Sequence, residues 1–154
     1  MTDTFSPAQR SEIMRRIKSR HTSAELLLRK ALWSMGLRGY RVDVESVRGR
    51  PDVAFRRAKL AVFVDGCYWH GCPRHCRMPS SNRQYWERKI RRNVERDKAH
   101  AGALRKEGWR VLRFWEHQVR QDSLRAARRV ARALDARVKI LYKKPANRGS
   151  RPSR

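Results

Sequence analysis

The residues best suited to metal chemistry are concentrated in one ten-residue stretch of this 154-residue chain. Cys67, Cys72 and Cys76 are all the cysteines of the chain, and His70 and His75 lie between them. Closely spaced thiols that follow a strand-like apolar run are typical of a structural zinc site. We therefore predict that the three cysteines bind Zn²⁺.

A fourth zinc ligand has to come from a histidine. The candidates are His75, inside the loop, and His117, which follows a second strand-like run and could meet the loop across a sheet. His70 is a further alternative. The metal-free interpretation is that the three cysteines are reduced thiols in a packed loop.

Two aspartates lie at the ends of neighbouring predicted strands. Asp52 begins one strand and Asp65 ends the next. Carboxylates in this arrangement can hold Mg²⁺ against a phosphate group. Aspartates also end strands because they solvate turns, so this pattern alone leaves both interpretations open.

A histidine that is not needed for zinc could serve as a general base beside such a magnesium site. His70 has this position, and an imidazole takes up a proton near neutral pH. Glu25 could orient the ring. Glu25 also has a structural explanation, because it closes a helix capping box that begins at Thr22.

Large aromatic side chains interrupt the polar cysteine loop. Tyr68 and Trp69 are adjacent there, and rings held in a metal-bound loop can insert between base pairs of DNA. Trp86 could add a third ring. Its alternative role is in the core, because it begins an apolar stripe on a long predicted helix.

The pattern of apolar residues predicts the elements that position these groups. Capping boxes begin helices at Ser6 and Thr22, and we expect these helices to end near Arg20 and Gly36. Alternation and apolar runs predict strands at 40–45, 52–55, 59–64 and 109–116. Helical spacing predicts a long helix to about residue 107, which the segment Pro79 to Asn82 caps, and a last helix over 123–136.

The composition limits the class of protein. Lys and Arg number 39 against 14 Asp and Glu, a formal charge of +25, which favours a polyanionic partner. Nucleic acid is the main candidate, and an anionic membrane surface is the alternative. The length suits one domain. Three cysteines, no signal-like run and no long apolar stretch predict a cytoplasmic protein that does not span a membrane.

Several short motifs together resemble the very-short-patch mismatch-repair (Vsr) endonucleases. The resemblance extends over about residues 11–119 and rests on these segments: Gly49 to Asp52, Val62 to His70, Tyr85-Trp86, Asn93 to Asp97, Gly108 to Leu112 and Trp115-Glu116. It implies a restriction-endonuclease-like α/β fold with a central mixed sheet flanked by helices. The activity it implies is a nick in one strand beside a T:G mismatch left by deamination of 5-methylcytosine.

The resemblance also implies roles for individual residues. Asp52 falls on the family's Mg²⁺-binding aspartate, His70 on its catalytic histidine and Glu25 on its supporting acid. The residues expected at the DNA by resemblance are Met14, Tyr68, Trp69 and Trp86, to which we add Lys89, Asn93 and Arg96 on the long helix.

The sequence departs from the family pattern at the metal sites. Val64 replaces a threonine and could still offer Mg²⁺ its backbone carbonyl, while Asp65 replaces a histidine and could add a carboxylate. The cysteine spacing differs too, and His117 stands at a cysteine position. The predicted zinc ligands are therefore Cys67, Cys72, Cys76 and His117, with His75 in reserve.

The prediction from the sequence is thus a monomeric, Mg²⁺-dependent DNA endonuclease stabilised by zinc. Residues 1–20 would form an arm that contacts DNA, 21–142 the nuclease domain with its zinc loop at 65–78, and 143–154 a disordered basic tail. Other mismatch-repair proteins are further candidate partners. The alternatives are a non-catalytic zinc module that senses distorted duplexes and a related nuclease that acts on unmodified DNA.

Overall fold

The computed structural model describes residues 6–16 and 20–141. The predicted basic tail at 143–154 and the end of the predicted first helix lie outside these residues. The elements, in chain order, are α1 (Pro7–Arg16), α2 (Ser23–Ser34), β1 (Val53–Phe55), β2 (Leu60–Asp65), α3 (Arg83–Lys106), β3 (Arg110–Trp115), α4 (Glu116–Gln121) and α5 (Ser123–Leu141).

The three strands form one mixed sheet in the order β1-β2-β3. β1 and β2 are the predicted hairpin and pair antiparallel, with Val53 opposite Val62. The long helix α3 then returns the chain so that β3 runs parallel to β2, with Asp65 opposite Trp115. This is the mixed α/β arrangement predicted from the sequence, and its restriction-endonuclease-like topology stays a prediction.

Helices cover both faces of the sheet. On one face, Leu60, Val62 and Phe114 belong to the main core, which is completed by α2, α4 and α5. On the other face, Ala61 and Phe63 pack with Leu104 of α3 in a smaller cluster. Because side chains alternate along a strand, Asp65 at the end of β2 lies on the α3 face.

The predicted helix starts are confirmed, although their caps differ in detail. Ser6 and Gln9 form a reciprocal capping box at α1, and the Thr22 hydroxyl accepts the backbone N–H of Glu25 at α2. Asn82 precedes α3 as predicted, but it is left-handed, with φ 55°, and its side chain makes no capping hydrogen bond. The N-cap residue of α3 therefore lies in the predicted segment, without a capping hydrogen bond from the Asn82 side chain.

The predicted strand at 40–45 is wrong. Only Arg41 forms an isolated bridge, to Ala54, and Asp43 adopts a φ of 51° that breaks the extended chain. The Asp43 carboxylate is bound instead by Arg20 and Arg50. The short helix α4 was not predicted. None of the helices within 6–16 and 20–141 is both long and apolar enough to cross a membrane.

Candidate active site and metal centre

The site lies at the edge of the sheet where β2 and β3 end. Because these two strands are parallel and in register, the loop after β2 and helix α4 after β3 begin side by side. Groups that are about fifty positions apart in the sequence are thereby brought into contact. The cysteine–histidine group depends on this arrangement.

A cleft of about 920 Å³ contains the predicted catalytic residues. Glu25, Asp52 and His70 all line it, as the sequence prediction required. Basic side chains form much of the remaining wall: Arg50, Lys89, Arg96, Arg113 and Arg120. A positive cleft with carboxylates at its floor suits a polyanion and a cation together.

Asp52 is held in place by the neighbouring strand. Its Oδ2 accepts the backbone N–H of Val64 at 2.6 Å. Burial raises the pKa of the Asp52 carboxyl to about 7, and the nearby acids Glu25 and Asp65 add to this effect, while the Val64 hydrogen bond opposes it. The ionised form of the Asp52 carboxyl is therefore disfavoured in this cleft, and a bound cation would stabilise it.

His70 is oriented by an aspartate of the long helix. Its Nδ1 lies 2.5 Å from Oδ2 of Asp97 and 3.8 Å from Oδ1 of Asp65. A proton on Nδ1 that is donated to Asp97 leaves Nε2 as the basic nitrogen. Asp97 thus occupies the orienting position that the sequence prediction offered to Glu25.

Glu25 is 4% exposed and is occupied at the start of α2. Its carboxylate accepts the backbone N–H of His21 at 2.8 Å and the Thr22 hydroxyl at 3.0 Å, and it pairs with Arg29 at 3.2 Å. The capping interpretation is therefore confirmed. Glu25 still lines the cleft, where its charge raises the pKa of Asp52.

Asp65 is 6% exposed and is paired with an arginine, although the sequence suggested a magnesium ligand. Arg113 of β3 donates to it through Nε at 2.7 Å and through Nη2 at 2.6 Å. Both Asp65 oxygens are thus engaged. Asp65, His70 and Asp97 also place donor atoms within 4.8 Å of one another, which would suit a cation, so a magnesium role for Asp65 stays a prediction.

Four zinc-type ligand atoms meet between the cysteine loop and α4. The group consists of Cys67, Cys72, His75 and His117, whose donor atoms lie within 4.8 Å of one another. Nδ1 of His117 is 3.2 Å from the Cys67 sulfur and 3.7 Å from the Cys72 sulfur, and His75 Nδ1 is 3.7 Å from the latter. Tetrahedral zinc would separate sulfur and nitrogen ligands by about 3.5 Å.

Cys76 lies outside this group. Its thiol donates to the backbone carbonyl of Tyr68 at 3.5 Å, and the reserve residue His75 takes its place in the cluster. The sequence prediction therefore differs from the geometry at one of four positions. Cys72 and Cys76 begin and end one turn of chain, with the Cys76 N–H bonded to the Cys72 carbonyl, but the Cys76 thiol is bonded to Tyr68 and not to a member of the group.

The predicted aromatic residues form one cluster at the mouth of the cleft. Ring centroids of Tyr68 and Trp69 are 5.1 Å apart, and Trp86 lies 5.7 and 6.1 Å from these rings. The Lys89 ammonium lies 5.2 Å from the centroids of Trp69 and Trp86. Trp86 is only 7% exposed and so also has the core role that the sequence offered as its alternative.

The other residues predicted to contact DNA differ in their surroundings. Lys89 and Arg96 line the cleft. The Asn93 amide instead donates to the backbone carbonyl of Trp69 at 3.0 Å and so fixes the aromatic loop. Met14 lies on α1, and its side chain is outside the described part of the structure.

Comparisons with known proteins place this site in a family. A family profile described as DNA mismatch endonuclease Vsr matches residues 2–78. The type II nicking enzyme V.NaeI of Lentzea aerocolonigenes is 46% identical over 124 residues, which cover 77% of this chain and 74% of that protein. The chain belongs to the Vsr family of DNA mismatch endonucleases.

Further relatives match more than three quarters of this Vsr chain. The nicking enzyme V.NmeDIP of Neisseria meningitidis serogroup C is 43% identical over 134 residues, covering 86% of this chain and 90% of that one. The DNA mismatch endonuclease Vsr of Escherichia coli K12 is 38% identical over 123 residues, covering 78% and 77%. The protein is thus a DNA endonuclease, and its partner is DNA.

Two residues of this Vsr protein were given no role by the sequence reasoning. Asp97 interrupts the inward, otherwise apolar face of α3, and this interruption is the signal in the sequence for a functional group. Arg113 interrupts the apolar strand Arg110–Trp115 in the same way. A charged residue at a position where the pattern calls for an apolar one is expected to be partly buried, and it then needs a charged or hydrogen-bonding partner.

Proposed function

We propose that this Vsr protein nicks one strand of duplex DNA beside a T:G mismatch, in a reaction that depends on Mg²⁺. The observation that carries the proposal is the meeting of Asp52 and the His70–Asp97 pair in one basic cleft. A protein that only binds DNA does not need a carboxyl with a raised pKa beside an oriented imidazole.

The residues fit a magnesium ion. Asp52 offers a carboxylate whose pKa is raised by burial and by the nearby acids Glu25 and Asp65, and the backbone carbonyl of Val64 is the second candidate ligand. A bound Mg²⁺ would supply neutralisation of the charge on the phosphate. The sequence departure at Val64 is compatible with this, because a backbone carbonyl does not depend on the side chain.

The His70 imidazole would act as the general base. Its Nε2 takes a proton from the attacking water while Asp97 holds Nδ1–H. The water oxygen forms a bond to phosphorus, the bond from phosphorus to the leaving sugar oxygen breaks, and that oxygen takes a proton from solvent. The products are a phosphate monoester end and a hydroxyl end, which together are a nick.

The cysteine–histidine group would hold a structural zinc ion. Two sulfurs and two imidazole nitrogens form a closed tetrahedral set, and a closed set leaves no position for substrate. A neutral His117 imidazole is favoured, because partial burial together with the neighbouring His75 and Arg74 lowers the pKa of His117. The zinc ion would therefore fix the loop that carries His70 and the aromatic residues.

Mismatch recognition would use the aromatic cluster. Tyr68 and Trp69 lie on the loop beside the cleft, and a T:G pair costs less to unstack than a matched pair. Asn93 holds the loop backbone and Lys89 adds a positive charge beside the rings. This arrangement favours a distorted duplex as the substrate.

The test uses short duplexes labelled on either strand. With Mg²⁺, we expect a single nick in one strand of a T:G duplex, no nick in EDTA, and no nick by Asp52→Ala, which should still bind. Matched T:A and C:G duplexes are the controls. Equal cutting of matched duplexes would contradict mismatch specificity and favour a nuclease for unmodified DNA. Cutting in EDTA would contradict the magnesium requirement.

A further inference from the structure

Arg113 occupies an unusual position for a charged residue. It lies opposite Phe63 in the central pair of strands, and its guanidinium stacks on that ring with the carbon 4.7 Å from the ring centroid. The side chain is 26% exposed, and the exposed part lines the cleft with Asp52, His70 and Asp97. An arginine is thus fixed in the wall of the proposed active site.

The guanidinium is held from one side. Nε and Nη2 donate to Asp65, and Nη2 also lies 3.6 Å from Oδ2 of Asp97. Nη1 makes no hydrogen bond to any residue of 6–16 or 20–141. A rigid arginine with an unused pair of donors is the arrangement that binds phosphate oxygens.

Stability alone does not account for the pair. Replacing a buried ion pair by apolar residues of similar size is often neutral or stabilising, and the neighbours of Arg113 on β3 include apolar residues. The hydrolysis of a phosphodiester, in contrast, places negative charge on the phosphate oxygens. A fixed cation at that point stabilises the transition state.

We propose that Arg113 is a further catalytic residue, which donates to a non-bridging oxygen of the phosphate that is cut, and that Asp65 is the residue that positions it. This rests on the proposed function. Asp65 then acts through Arg113 and is not a metal ligand. Asp52 would then be the one carboxylate that binds the metal ion, and Arg113 would balance negative charge on the phosphate that the metal ion does not neutralise.

The test measures single-turnover nicking and DNA binding separately. Arg113→Lys keeps the positive charge but loses the planar guanidinium with its several donors. We therefore expect nicking to slow by about 10²- to 10³-fold and DNA binding to change by less than about threefold. Arg110→Lys is the matched control, because Arg110 is exposed at the other end of the same strand, away from the cleft. It should nick at the wild-type rate.

The position of Asp65 is tested by a double-variant cycle. Asp65→Asn should slow nicking by about 10- to 100-fold without changing the Mg²⁺ concentration needed for half-maximal rate. The double variant Asp65→Asn, Arg113→Lys should be no slower than Arg113→Lys alone, because Asp65 acts only through Arg113. If Arg113→Lys does not fold in a thermal melt, Asp65→Asn retains the arginine and carries the test.

The outcomes separate this proposal from the proposed function. Wild-type protein that cuts no duplex overturns both. Wild-type cutting with an Arg113→Lys rate within threefold of it overturns only the role of Arg113. A higher Mg²⁺ requirement in Asp65→Asn, with Arg113→Lys unaffected, would make Asp65 a metal ligand and overturn its positioning role.

Discussion

The Nδ1 atom of His70 lies 2.5 Å from Oδ2 of Asp97, which is 27 positions further along the chain. The first residue is on the metal-ligand loop and the second is in the middle of α3. Their contact fixes which nitrogen of the imidazole carries the proton.

Loss of the Asp97 charge should slow catalysis and leave DNA binding intact. We expect Asp97→Asn to reduce single-turnover nicking by about 10²- to 10⁴-fold, because an amide can stabilise the wrong imidazole tautomer and cannot balance an imidazolium. His70→Ala should have an effect of similar size, and the double variant should be little worse than either. Additive losses would mean that the two residues act independently.

Asp52 should make the metal-free protein less stable as the pH rises. Its pKa is about 7 in the folded state against an ordinary 3.8, so the folded protein binds more protons than the unfolded chain between these values. Its contribution to the free energy of unfolding therefore falls as the pH rises from about 4 to about 7. The stabilising form is the protonated one.

Asp52→Asn isolates this effect. In EDTA at pH 8 we expect the variant to be more stable than wild type by roughly 1 to 4 kcal/mol, and at pH 4 nearly equal to it, since each pKa unit corresponds to about 1.4 kcal/mol. Urea denaturation at the two pH values measures the difference. The variant should not nick DNA. A variant less stable than wild type at pH 8 would contradict the raised pKa of Asp52.

The zinc ligands can be separated by one pair of variants. We expect His75→Ala to lose zinc or bind it far more weakly, because it removes one of four ligands, while Cys76→Ala keeps one zinc ion per chain. A colorimetric assay of the metal released on unfolding gives the stoichiometry. The opposite result would restore the ligand set predicted from the sequence.

The two tryptophans of the aromatic cluster should behave differently. Trp86→Ala should destabilise the fold by about 3 to 5 kcal/mol, as expected for a large buried ring. Trp69→Ala should cost less stability and should reduce the preference for T:G over matched duplexes. Thermal melts and nicking of both duplexes distinguish the effects. A fully selective Trp69→Ala protein would remove that ring from mismatch recognition.

The sequence by itself determined the elements and the reactive residue types. Apolar spacing predicted α2, α3, the β1–β2 hairpin and β3, because burial imposes a period on each element. The crowded cysteines, Asp52 and His70 stood out locally. The prediction of a strand at 40–45 was wrong because the alternating pattern does not reveal the ion pairs that Asp43, with its positive φ, makes in the folded protein.

Only the tertiary structure decided which partner each reactive residue has. The parallel register of β2 and β3 brings Asp65 to Arg113 and Cys67 to His117, and the packing of α3 brings Asp97 to His70. Several acids and histidines were chemically equivalent candidates in the sequence. The contacts that distinguish these candidates join residues 27 to 50 positions apart. Local spacing along the chain does not show which of such distant residues come into contact.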